Sequence, residues 1–213
     1  MTRVLVIGGS KGIGFETAKQ ALDVGFSVKA MARTADAIAI DHPQLEKVTG
    51  DATVRDDVAA ALRDVDVVVS SLGLPLNRQT ITRPTDLFSS STRVLLEAMR
   101  SSSTSRLIAV TGFGAGECAT QLSRIERIPF RLVFGRIYDD KSRQEELIKA
   151  SGLDWTIARP GILTRGRRKG TYRVLVEPSS WRNGVISRAD VADYIVSATK
   201  DPSTSGTSPV LVY

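Results

Sequence analysis

One cysteine, one histidine and the absence of any long apolar run set the first limits on this chain of 213 residues. Cys118 has no second cysteine, so an internal disulfide and a cysteine-based zinc site are both excluded. It also has no histidine partner in view for nucleophilic catalysis. His42, in "IDHPQ", reads as a surface-loop residue remote from the predicted site. No metal site is therefore expected. No stretch approaches the ~18–20 apolar residues that would span a bilayer. The opening "MTRVLVIGGS" turns glycine-rich too soon for a signal peptide, so a cytoplasmic location is the default expectation. Neither terminus carries a long basic tract. The densest basic cluster, "TRGRRKGTYR" with Arg165, Arg167, Arg168, Lys169 and Arg173, has no aromatic ladder beside it. Nucleic acid and membrane are not expected partners. Solvated loop charge and binding of an anionic small molecule both remain open for that cluster.

What is present is ordinary for a globular chain: 42% hydrophobic residues, 24% charged residues and a net charge of +6. Short β-branched runs alternate with amphipathic segments. "RVLVIG" (3–8), "SVKAMAR" (27–33), "LEKVTGD" (45–51), "VDVVVSSLG" (65–73), "SRLIAVTG" (105–112) and "LDWTIARPG" (153–161) read as strands. "GFETAKQALDVG", "VRDDVAAALRDV", a segment ending near "RVLLEAMRS" and "SRADVADYIVSATK" read as helices, the last capped by Ser187. "TYRVLVE" suggests short strands and "PVLVY" a last edge strand. Residues 113–135 read as a long irregular segment before a helix beginning at "RIYDDKSRQEEL". This alternation predicts one α/β domain, a Rossmann-type doubly wound parallel sheet with helices on both faces. Ligands of such sheets bind at the carboxyl ends of the strands, near the topological switch point.

After the first strand comes "GGSKGIG": Gly8, Ser10, Lys11, Gly12, Ile13 and Gly14 among its residues. Glycines there let backbone approach a pyrophosphate, whose charge the following helix N-terminus favours. An NAD site usually offers an acid at the end of strand two. Here the strand ends on Arg33, and Lys11 lies inside the glycine loop, a pair suited to a 2′-phosphate. NADP (as NADPH) is therefore expected in preference to NAD, with Asp36 close enough to blunt the effect. Asp51 and Ala52 close strand three, where an acid can bind the adenine amino group. Ser71, Leu72 and Gly73 close strand four, beside the ribose and pyrophosphate.

With "VLVIGGSKGIG", "TGDAT", "VVVSSLG", "YDDKSRQEELIKASGLDWTIARPGIL" and "ISRADVADYIV", the chain resembles the atypical, NAD(P)H-binding branch of the short-chain dehydrogenase/reductase superfamily. Biliverdin reductase B/flavin reductase enzymes and NmrA-like proteins belong to that branch. The resemblance implies that Lys141 lies near the nicotinamide ribose, that Pro160, Gly161 and Ile162 border the nicotinamide, and that Thr111 lies near the reacting ring. Three departures stand out. Phe15 breaks the G-x-x-G-x-x-G common in the branch, Ile137 stands four before Lys141 where the standard enzymes have tyrosine, and Thr111 is followed by Gly112 rather than an obvious serine.

Tyr138 lies three before Lys141, a spacing that puts both on one helix face. It is a candidate proton donor, a pocket wall or a structural residue; Lys141 is a cofactor ligand or the partner of Glu145 on the helix surface. Tyr138, Lys141 and Thr111 are the candidate catalytic set. Phe113, Phe130 and Phe134, with Arg124, Arg127 and Arg131, can form an acceptor pocket or lid, or an amphipathic helix packed on the sheet. The whole chain, 1–213, is expected to be the dinucleotide-binding domain, with a small substrate-pocket portion from 113–137 and 162–186. The expected activity is an NADPH-dependent oxidoreductase passing hydride to a planar conjugated acceptor (flavin, quinone or other carbonyl compound), as a monomer or homodimer. The alternative is a nonenzymatic NADP(H)-binding redox sensor of the NmrA-like kind.

Overall fold

A computed structural model describes residues 1–75, 77, 78, 80, 83–121 and 124–213, the side chains of 124–127 and 129 excepted. The first half of the chain runs β1 (Arg3–Ile7), α1 (Gly12–Asp23), β2 (Ser27–Ala32) and β3 (Leu45–Thr49). There follow α2 (Arg55–Ala61), β4 (Val67–Ser70), α3 (Leu87–Arg100), β5 (Arg106–Val110), α4 (Arg124–Lys149) and β6 (Asp154–Pro160). The last part holds β7 (Ile162–Thr164), β8 (Arg173–Leu175), β9 (Val185–Ser187), α5 (Arg188–Ala198) and β10 (Val210–Val212). The main sheet has the order β3-β2-β1-β4-β5-β6-β10-β8. Every neighbouring pair in it is parallel except β10 and β8. This is the doubly wound fold the strand and helix alternation predicts, with its switch point between β1 and β4.

The central strands are apolar on both sides because both faces are covered, as parallel sheets require. In β1, Val4 and Val6 pack with Ala18, Ala21 and Ile195 of α1 and α5, while Leu5 and Ile7 pack with Val58, Leu95 and Met99 of α2 and α3. Strand alternation thus sorts one short run into two cores. Among the polar residues, Asp140 of α4 is buried and accepts the N–H groups of Phe88 (2.8 Å) and Ser89 (3.3 Å), satisfying the first turn of α3.

Three features differ from the sequence expectation. The helix expected to begin at residue 136 begins at Arg124, so the segment 113–135 is irregular only in its first part, which includes a 3-10 turn over Gly116–Gln121. Pro129 and Gly135 make this stretch look unlike a helix, since an interior proline costs ~3 kcal/mol and a glycine ~1 kcal/mol. Phe130, Phe134 and Tyr138, four residues apart in turn, stack along one face and offset part of that cost. Their ring centroids are 5.5 Å (130–134), 6.3 Å (134–138) and 4.6 Å (130–138) apart. Second, β10 is not an edge strand: it lies between β6 and β8. Third, β7 and β9 form a separate parallel pair.

Beneath the carboxyl ends of β5 and β6 lies a fully buried arginine. Arg159 donates from Nε to Glu145 Oε1 (3.0 Å) and from Nη2 to Glu145 Oε2 (2.6 Å), and Glu145 is itself only 1% exposed. Arg159 also reaches Glu117 (3.1 Å), which pairs with Lys149 (2.6 Å), and its guanidinium lies 4.8 Å from the centre of the Trp181 ring. Removing one partner of a buried pair strands the other charge. Arg159→Met is expected to lower the unfolding free energy by about 3–5 kcal/mol in a urea titration. The double variant with Glu145→Gln is expected to cost clearly less than the sum of the two single changes.

Candidate functional site

A cleft of about 880 Å³ opens over the carboxyl ends of the parallel strands, on both sides of the switch point. The loop between β1 and α1 forms its floor. Gly8, Ser10, Lys11, Gly12 and Ile13 all line it. Gly14 does not line it and serves packing: a Cβ there would run into Gly8 O and Ser71 Oγ. Gly12 has φ +65° and nothing within 4 Å of where a Cβ would stand. The backbone is thus bare and open toward the cleft at this point. No side chain caps the first turn of α1, and no acid lies in it, so its N–H groups remain free for an anion. A dinucleotide pyrophosphate fits this cradle in shape and charge.

On the β2–β3 side, Arg33 is exposed at the end of β2 and lines the cleft with Lys11. Asp51 and Ala52 line it after β3. Asp51 Oδ1 accepts from Thr53 N (2.8 Å) and Thr53 Oγ1 (2.7 Å), which hold its carboxyl below the ordinary range against the opposing effect of burial; Arg33 adds to the lowering. Among the described residues Asp51 Oδ2 carries no hydrogen bond, which leaves an acceptor for an adenine amino group. Ser71, Leu72 and Gly73 border the cleft after β4.

On the β5–β6 side, Thr111, Lys141 and Pro160 line the same cleft. Lys141 does not pair with Glu145 at the helix surface. Glu145 is buried against Arg159 and accepts a hydrogen bond from Thr111 Oγ1 (2.7 Å). Lys141 Nζ donates to Thr111 O (2.7 Å) and stands 4.6 Å from the centre of the Phe88 ring. Burial lowers the Lys141 pKa to about 8, against the opposing pull of Glu145 and Asp140. An ammonium has three donors, and Thr111 O takes one. The others are available to a ribose.

The family model described as NAD(P)H-binding matches residues 8–202. The chain belongs to the NAD(P)H-binding family. The expected place in the atypical short-chain dehydrogenase/reductase branch agrees with this match. The solved anaerobilin reductase ChuY from Escherichia coli O157:H7 superposes with a TM-score of 0.82 at 28% identity, over 99% of this chain and 97% of that one. A short-chain dehydrogenase/reductase from Veillonella parvula, solved in complex with NADP, shares the fold at 16% identity, with a TM-score of 0.83 over 100% and 94% of the two chains. Among curated proteins, an uncharacterized chloroplastic protein of Arabidopsis thaliana is 28% identical over 209 residues, 95% of this chain and 74% of its own length. Chloroplastic TIC 62 of Pisum sativum is 25% identical over 224 residues; the chain spans 95% of itself but only 41% of TIC 62. No helix among the described residues is long and apolar enough to cross a membrane.

Four of the residues expected at the family's cofactor or catalytic site do not line the cleft: Gly14, Gly161, Ile162 and Tyr138. A Cβ on Gly161 would meet Gly184 O, and Ile162 is 59% exposed at the start of β7. Tyr138 lines a second hollow of about 240 Å³ with Phe130, Arg131 and Ser142. Its hydroxyl lies against Gly112 and has no hydrogen-bond partner among the described residues. Burial pushes its pKa up to about 12. Lys141 Nζ is 6.0 Å from its ring centre. Phe113 is buried beside Trp181, and Arg131 pairs with Asp139 at 3.7 Å. The Arg124 and Arg127 side chains lie outside the described residues. Cys118 is buried, and burial raises its thiol pKa to about 11. His42 Nδ1 accepts Gln44 N–H (3.1 Å), and the residue does not line the cleft. Leu87, Leu163 and Arg188 are cleft residues that sequence reasoning missed. Their only sequence marker is position: Leu163 and Arg188 fall in or beside motifs that carry the family resemblance. Among the described residues no group of three or more potential metal ligands occurs.

Gly12→Ala tests the cradle. The substitution puts a methyl group into the open space over the loop at a positive φ, with a strain cost of about 1–2 kcal/mol. It is expected to leave the protein folded, while the rise in Tm caused by added NADPH is lost.

Proposed function

We propose that this protein is an NADPH-dependent oxidoreductase that passes hydride to a planar conjugated acceptor, a flavin, a quinone or another carbonyl compound. The observation that carries this reading is the single cleft that joins the bare glycine loop and Arg33 at one end to Lys141 and Thr111 at the other. Reduced nicotinamide, when bound, supplies the hydride. The protein's part is to hold and orient. Lys141, fixed on Thr111 O, offers its remaining donors to the nicotinamide ribose. Pro160 and Leu163 provide an apolar wall, in this reading the wall of the reacting end. The segment 162–186 supplies the acceptor side through Leu163, Arg165 and Gly166, whereas no described residue of 113–137 lines this cleft.

The acceptor class follows from Tyr138. A tyrosine acid needs a cation or hydrogen bond that lowers its pKa toward working pH. Tyr138 has a raised pKa and stands outside the cleft. An acceptor that spreads negative charge over a conjugated system can take its proton from water, so it needs no such acid. The likeness to an anaerobilin reductase supports a reductase reading. A second reading, a nonenzymatic NADP(H)-binding redox sensor, draws on the same displaced tyrosine. It predicts tight NADPH binding with no loss of NADPH absorbance for any of FMN, riboflavin, quinones or a bilin; turnover with one of them rules it out.

NADPH preference rests on Arg33 and Lys11, both exposed in the cleft wall. Arg33→Ala is expected to weaken NADPH binding about tenfold or more, the worth of a charge-assisted contact, and to leave NADH binding nearly unchanged. Equal weakening of both, measured by fluorescence titration, counts against the 2′-phosphate contact. Tyr138→Phe is expected to keep turnover of a flavin or quinone within about threefold, whereas loss of a general acid costs ~10²-fold or more.

A further inference from the structure

The basic stretch from Arg165 to Arg173 is divided into two halves by its anchors. In its far half the backbone at Lys169 and Gly170 and the side chain of Arg168 are tied to α5. Asp190 Oδ1 accepts the N–H groups of Lys169 and Gly170, both at 2.8 Å. Lys169 Nζ lies 4.4 Å from the centre of the Tyr213 ring, and the Tyr213 hydroxyl donates to Asp190. Arg168 pairs with Asp193 at 3.4 Å. The near half is different. Arg165 and Gly166 line the main cleft together with Arg188. Arg188 Nη1 donates to Thr164 O (2.9 Å) and so holds the chain just before Arg165. Neither arginine has a carboxylate partner among the described residues. Glu16 lines the cleft too and pairs with neither.

Chain order and the cleft lining place this pair. Arg33 follows β2, on one side of the switch point; Arg165 follows β6 by five residues past Pro160, through β7, and Arg188 opens α5 after β9, the partner strand of β7; both line the cleft with Pro160 and Leu163. One cleft therefore carries two cationic ends. A 2′-phosphate can occupy only the end at Arg33. The guanidinium fork is matched to carboxylate or phosphate oxygens, and at a cleft wall it is not already neutralised. We infer that Arg165, steadied by the Arg188 contact to Thr164, binds an anionic substituent, a carboxylate or a phosphate, carried by the acceptor. The inference deepens the reductase reading and rests on it. The selected acceptor is a conjugated ring system with a peripheral anion.

FMN and riboflavin share one ring system and differ by a phosphate, which makes them the probe pair. Their binding to the full chain saturated with NADP+ is measured by quenching of flavin fluorescence, without turnover. FMN is expected to bind about tenfold more tightly than riboflavin, and Arg165→Gln is expected to remove that difference, with the riboflavin and NADPH constants changed less than about twofold. Equal binding of the two flavins, no FMN binding, or an Arg165→Gln variant that weakens riboflavin and NADPH alike overturns the inference. The last outcome assigns Arg165 to the cofactor. NADPH oxidation is followed in parallel. An FMN preference lost in Arg165→Gln, without turnover of any acceptor, keeps the anion site and removes the reductase reading. Turnover without the preference does the reverse.

Discussion

The buried contact between Arg159 and Glu145 is the constraint on which the β5–β6 end of the cleft depends. It joins β6 to α4 through two hydrogen bonds, and Glu145 extends the link to β5 by accepting from Thr111. Three elements that follow one another along the chain are thereby locked at one point below the cleft. A charged pair in such a place costs desolvation, so its use is better understood as positioning than as net stabilisation. Because Glu145 is committed to Arg159, Lys141, one helical turn away, is left to bond the Thr111 carbonyl and face the cleft.

The same arrangement explains the electrostatics of the site. The cleft floor is cationic in character without being crowded by charge: free N–H groups of α1, one arginine and one lysine on the β2–β3 side, one half-buried lysine and two arginines on the other. Burial lowers the Lys141 pKa to about 8, and the carboxylates of Glu145 and Asp140 oppose that shift without cancelling it. Asp140 is itself spent on the N-terminus of α3. Each acid near Lys141 thus has a partner elsewhere and contributes a field rather than a direct bond.

Much of this was legible in the residues. The strand–glycine loop–helix order, Arg33 at the end of β2 and the acids and glycines closing β3 and β4 follow from local rules of period, turn and charge. Lys141 was legible through the family motif. Tyr138 was less so. Its helix starts twelve residues before the expected point (136 against 124), since Pro129 and Gly135 hide a helical face whose aromatic stacking appears only once the turns are formed. Arg159 gave no sign of its importance, because its partner Glu145 lies on another element and nothing in "IARPG" names it.

The sequence by itself determined the βαβ alternation, the bare glycine loop before α1 and the charge beside it. These depend on neighbours within a few residues. Tertiary structure decided which side chains share the cleft. It turned Tyr138 toward Gly112 and Phe130, sent Glu145 inward, and split one basic run into a half bound to α5 and a half facing the site. Such choices depend on contacts across tens of residues, where burial and competition for partners outweigh spacing along the chain.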